Sequence, residues 1–135
     1  MLFSCGKSPF LDAPSSIERT VQPQRGLREI NLKSESLKIT HYFKNEISVG
    51  DEISIVIIIT NDKGHPTSPK NDFRVKLWMP GMGHGSFPIS VTKISEGIFE
   101  ANEIFFTMPG YWDIHFELYD EMNNQTDEAL WGIEL

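Results

Sequence analysis

The run Ile53-Ser54-Ile55-Val56-Ile57-Ile58-Ile59-Thr60 narrows the fold more than any other stretch of the chain. All of its residues except Ser54 are β-branched. Such side chains are confined in a helix and pack well on a pleated surface. Apolar residues fall on both faces of the run, which predicts a central strand. The unbroken aliphatic stretch, Ile55 to Ile59, is the longest in the sequence. It is far below the roughly 20 residues that a bilayer-spanning helix needs.

Around this run the sequence alternates with period two. Leu37, Ile39, His41 and Phe43 form one apolar face before it, and Phe73, Val75, Leu77 and Met79 form another after it. Further strands are predicted over Phe87 to Ile94, Ile98 to Phe106, Tyr111 to Leu118 and Ala129 to Leu135. Turn-forming segments separate them: Asn45 to Asp51, Asn61 to Pro66, Ser95-Glu96-Gly97, Thr107 to Gly110 and Asp120 to Gln125. No segment has a helical period. The expectation is an all-β fold, an immunoglobulin-like antiparallel β-sandwich of about seven strands. Trp112 is its expected central aromatic. With a single cysteine, Cys5, no intrachain disulfide is possible, so packing must hold the two sheets together.

The 135 residues suit one domain with an appended tail. Residues 1–33 read as that tail and residues 34–135 as the sandwich. Lys7 to Asn31 carries Pro9, Pro14 and Pro23 among serines, glutamines and mixed charges, the composition of a tether. Ahead of it, Leu2-Phe3-Ser4-Cys5 resembles the lipobox of bacterial lipoproteins, in which the cysteine is acylated. Only four residues precede Cys5, fewer than a signal peptide requires. The competing reading is a free N-terminal thiol. The net charge of −7, from 12 basic and 19 acidic residues with no basic stripe, argues against nucleic acid as a partner.

The chemistry gathers in Leu77-Trp78-Met79-Pro80-Gly81-Met82-Gly83-His84-Gly85-Ser86, at the end of the third predicted strand. Proline and glycine turn the chain sharply there. Thioether and imidazole suit soft metals, Cu(I) above all. The same residues also suit a tight turn whose methionines plug the core. If consecutive strands are antiparallel, the later loop Thr107-Met108-Pro109-Gly110 lies at the same pole. Met79, Met82, His84 and Met108 can then converge as three thioethers and one imidazole. The turn Lys44 to Gly50 belongs to this pole, and His65 to the opposite one. His41 falls on a core face, His65 in a turn, and His115 on a polar face between Asp113 and Glu117, where a solvated role is the expectation.

Two segments carry a family resemblance: Met79-Pro80-Gly81-Met82-Gly83-His84-Gly85, and Met108-Pro109-Gly110-Tyr111-Trp112 near the start of a later strand. From about Ser36 onward the chain resembles the YtkA-like domains, related to the periplasmic part of FixH-type proteins. These are small bacterial envelope domains with an immunoglobulin-like sandwich. The resemblance implies copper handling in the cell envelope and a link to respiratory oxidase assembly. A copper-accepting protein partner would follow, with membrane attachment only through a lipid on Cys5. The alternative is a metal-free interaction module that presents Trp78 and Tyr111 as a contact surface. An enzyme is not expected, since the chain has no Gly-x-Ser-x-Gly elbow, no phosphate loop and no His-Glu-x-x-His pair.

Overall fold

A computed structural model describes residues 28–135. Cys5 and most of the tether lie outside them. The strands are β1 (Arg28–Leu32), β2 (Leu37–Phe43), β3 (Glu52–Thr60), β4 (Asp72–Met79), β5 (His84–Gly85), β6 (Ser90–Ser95), β7 (Ile98–Phe105), β8 (Tyr111–Tyr119) and β9 (Gln125–Glu134). One sheet has the order β1-β2-β3-β7-β6, the other β5-β4-β8-β9, and the strand pairs described are antiparallel. Without β1, the first order is that of the A-B-E-D sheet of an immunoglobulin fold. The second is its C-F-G sheet with a short extra edge strand.

The isoleucine run is the centre of the first sheet, with β2 on one side and β7 on the other. Ile53, Ile55, Ile57 and Ile59 are all fully buried between the sheets. Val56 and Ile58, on the outer face, are half-buried. Opposite them stand Val75, Leu77 and Met79 of β4 and Trp112, Ile114, Phe116 and Leu118 of β8, all buried. Trp112 has no exposed surface, and Phe106 meets its ring edge-on at a centroid distance of 5.7 Å. It is the central aromatic the sequence predicts.

The seven expected strands are present; the fourth, expected from Phe87, begins at Ser90, and the structure departs from the sequence reading in three further places. First, pairing begins at Arg28, inside the segment read as tether and ahead of the boundary at residue 34. Leu32 is fully buried and Ile30 packs on the core, so this edge strand contributes two apolar residues to the sandwich. Second, β7 changes phase. Phe99 and Ala101 point inward, but so do Ile104 and Phe106, which strict alternation forbids. A bulge absorbs the extra residue: the register with β3 shifts between Ile53 and Ile55, and Glu103 takes a left-handed φ of 63°. The Glu103 amide donates to the Glu52 carboxylate at 3.1 Å. Third, β9 starts at Gln125, so part of the polar segment before Ala129 is sheet rather than turn.

Candidate functional site

The Met-Pro-Gly segment is a closed hairpin rather than an open loop. Strand β4 ends on Met79, whose inward side chain belongs to the core and is 6% exposed. Pro80 has no amide to continue the ladder. The Met79 carbonyl accepts from both the Met82 amide (3.1 Å) and the Gly83 amide (2.9 Å). Gly83, at φ 67°, completes the reversal. Strand β5 then returns along β4, pairing His84 with Met79 and Gly85 with Trp78. Gly85 is needed here, because a Cβ would stand 2.9 Å from the Leu77 carbonyl oxygen. Met82 is carried out to the tip and is 58% exposed.

The parity argument holds. Gly110 lies against the end of the Met79 side chain: a Cβ on it would come within 2.5 Å of the Met79 methyl. The Gly50 amide donates to the Phe106 carbonyl at 2.9 Å, so the turn before β3 is at this pole as well. Trp112 ties the remaining parts together. Its indole N–H donates to the Met108 carbonyl at 3.0 Å. The His84 ring meets its face at 74°, with centroids 6.2 Å apart. Met79, His84 and Met108 are thus gathered around Trp112 and Gly110, with Met79 buried and the other two half-buried. Met82 is the exposed member.

The His84 ring has a defined orientation. Its Nδ1 lies 3.1 Å from the Gly85 carbonyl oxygen. A carbonyl only accepts, so Nδ1 carries the hydrogen in that bond and Nε2 of the neutral ring keeps its lone pair. Metal-binding imidazoles are commonly held this way, through the ring nitrogen that does not ligate. Neither loop contains a charged residue. The donor set is therefore neutral, soft and partly accessible, as a monovalent soft ion requires. The metal-free reading expects Met82 and His84 to pack inward, and the structure divides the two: Met82 is exposed, whereas His84 is half-buried against Trp112, with its described hydrogen bond going to the adjacent peptide.

The other histidines are distributed otherwise. His41 is buried among rings, 4.6 Å from Trp131 and 5.2 Å from Phe116 between centroids. His65 sits in the opposite turn, its amide bonded to the Asn61 side-chain oxygen. His115 is not the solvated residue expected, since its side chain is only 14% exposed. Its Nδ1 bonds the Glu128 carboxylate and stands 3.9 Å from Glu117 Oε2. Sequence reasoning missed Glu128 as a partner because it fell between the turn read as Asp120 to Gln125 and the strand read as starting at Ala129. In β9 it pairs directly with Glu117. The same outer face carries Tyr111, 47% exposed, with its ring over Gly132. Burial first, then the Asp113 and Glu134 carboxylates, push the Tyr111 hydroxyl pKa above the usual tyrosine value.

A sandwich with immunoglobulin strand order and a neutral Met/His hairpin at one pole defines the class of domain. The chain belongs to the YtkA-like family, whose profile matches residues 31–117, a span that contains both Met-Pro-Gly loops. Among curated proteins none matches the chain.

Proposed function

We propose that this YtkA-like domain is a cell-envelope accessory protein that holds Cu(I) at the Met79, Met82, His84 and Met108 pole and passes it to a protein acceptor. A respiratory oxidase under assembly is the acceptor class that the FixH-type resemblance suggests. Cys5, if acylated, would supply the membrane anchor. No catalytic step belongs to this reading. The observation that supports it most is the orientation of His84: the hairpin ties Nδ1 to a carbonyl and leaves Nε2 its lone pair, at the pole that also carries Met79, Met82 and Met108. Neutral thioethers stabilise Cu(I) without trapping it as thiolates would, and the exposed Met82 gives an acceptor a ligand to displace.

The test is a titration of the full chain with Cu(I) against a competing chelator, beside a Met82→Ala/His84→Ala variant. One equivalent bound by the natural chain, with affinity at least tenfold weaker in the variant, is the expected result. Equal uptake by both, or none by either, would refute it. A metal-free interaction module is the second reading, favoured by the outer face of the β5-β4-β8-β9 sheet. There Trp78, Tyr111 and Leu130 are 36%, 47% and 48% exposed. Failure of the copper titration would turn attention to that face.

A further inference from the structure

Glu117 is an anomaly on the outer face of its sheet. Its side chain is 3% exposed, although it points away from the core. The Tyr119 hydroxyl donates to Oε1 at 2.9 Å. Oε2 is buried and has no hydrogen-bond donor. A buried acceptor left unbonded is uncommon in folded proteins and calls for an explanation. Oε2 faces two groups of like purpose. His115, two residues earlier on β8, points Nδ1 toward it, and Glu128 faces it across the β8–β9 ladder. One ligand atom from each of the three residues lies within 4.8 Å of the others. Two carboxylates paired across strands repel unless a cation stands between them. The neighbouring cation is Lys76 on β4, whose Nζ is 3.4 Å from Glu117 Oε2 and whose side chain is 52% exposed.

We propose that His115, Glu117 and Glu128 form a binding site for a divalent first-row transition ion such as Zn2+, distinct from the methionine pole. One imidazole nitrogen and two carboxylate oxygens form a borderline-to-hard donor set, the opposite of the thioethers in the hairpin. Tetrahedral ligands about 2.1 Å from Zn2+ stand about 3.4 Å from one another, so one ion joins His115 Nδ1 and Glu117 Oε2 once their 3.9 Å separation closes by about half an ångström. Glu128 moves outward by a small rotation, and the hydrogen between its carboxylate and His115 Nδ1 leaves to solvent as the ion enters. The buried Oε2, which has the Lys76 ammonium 3.4 Å away but no hydrogen bond, gains a directly bonded partner. The Lys76 ammonium, which offsets one of the two carboxylate charges through its ion pair with Glu117, swings into solvent. Water completes the coordination on the exposed side.

The experiment is calorimetric titration of the full chain with Zn2+ at neutral pH in a non-coordinating buffer, with Cys5→Ser in every sample to remove a rival thiol. The Cys5→Ser chain is expected to bind one equivalent. Glu128→Gln, at the exposed edge of the site, should weaken binding at least tenfold, as should Glu117→Gln if that variant folds. Lys76→Ala should tighten binding severalfold by removing the competing cation. A purely structural ion-pair network would not produce that gain. His65→Ala, in the opposite turn, should leave binding unchanged. Absence of Zn2+ uptake would overturn the site, as would uptake indifferent to both Glu128→Gln and Lys76→Ala, or uptake abolished by His65→Ala. The Cu(I) result on the methionine pole is read with a different ion and different variants, so either proposal can fail alone.

Discussion

Replacing Gly110 with alanine tests the meeting of the two Met-Pro-Gly loops directly. Gly110 has φ 132°, a conformation that side chains avoid, and it exchanges two backbone hydrogen bonds with Leu135 (3.1 and 2.9 Å). Holding alanine in that conformation costs about 1–3 kcal/mol. The added methyl also lands 2.5 Å from the Met79 methyl, more than an ångström inside ordinary contact. Overpacking of this kind costs about 1–3 kcal/mol more. Gly110→Ala is thus expected to lose about 2–6 kcal/mol. Met79→Ala alone should lose about 2–5 kcal/mol, because the side chain is buried. In the double variant the clash has no second partner, so only the backbone strain adds to the Met79 loss. The double loss should fall short of the sum of the singles by about 1–3 kcal/mol. Urea unfolding at 25 °C with linear extrapolation measures all four forms of the cycle, provided the denaturant slope is constant. Losses that add to within about 0.5 kcal/mol would mean that the end of Met79 does not rest on Gly110. The argument that the two loops share a pole would then fail.

Two further outcomes follow from the same coordinates. Burial raises the Asp127 pKa, but the Ser34 amide and hydroxyl, the Glu128 amide and the Lys33 charge outweigh it and hold the carboxyl below its usual value. A lowered folded pKa means stability that is complete above the unfolded value, about 3.9, and lost as pH falls through the folded one. The urea midpoint of the natural chain should therefore fall below about pH 5 more steeply than that of Asp127→Asn; parallel curves would refute this. Gly97→Ala should cost about 2–6 kcal/mol and lower the melting temperature by more than about 10 °C in differential scanning calorimetry. Its Cβ would stand 2.4 Å from the Thr67 amide nitrogen and 2.6 Å from the Ile59 carbonyl oxygen, backbone atoms that cannot rotate away. A loss under about 1 kcal/mol would show that the Pro66–Thr67 loop is not seated there.

The parts of the fold legible in the sequence are those where one face is buried along a whole strand. Tyr111 to Leu118 announces itself because apolar residues recur at every second position, and Ile53 to Thr60 because it is β-branched almost throughout. What escaped is where that rule is broken or too short to read. Strand β5 is two residues long, and its glycine is chosen by a close approach to Leu77 rather than by alternation. Strand β1 offers only Ile30 and Leu32 among charged and polar neighbours. In β7 the alternation itself changes phase at Glu103, and only the pairing with β3 shows where the extra residue goes. The first half of β9 is polar because its outward residues face solvent or the His115 cluster, so composition alone ends the turn at Gln125 and starts the strand only at Ala129.

The two candidate sites differ in legibility for the same physical reason. The methionine pole is carried by local sequence. Proline and glycine turn the chain, soft donors sit within six residues, and strand parity alone brings in the second loop. The His115 cluster is carried by register. Its three ligands come from two strands, and a one-residue slip of β9 would send Glu128 to the other face. Register in turn is set by the core-facing partners on the opposite side of the ladder: buried Ala129 beside Phe116, half-buried Trp131 beside Ile114 and buried Ile133 beside Trp112. The core that fixes Trp112 at the centre of the methionine pole thus also fixes Glu128 against Glu117 on the outer face. Moving β9 along β8 would disturb both donor sets, whereas side-chain changes within either set leave the other's backbone frame intact.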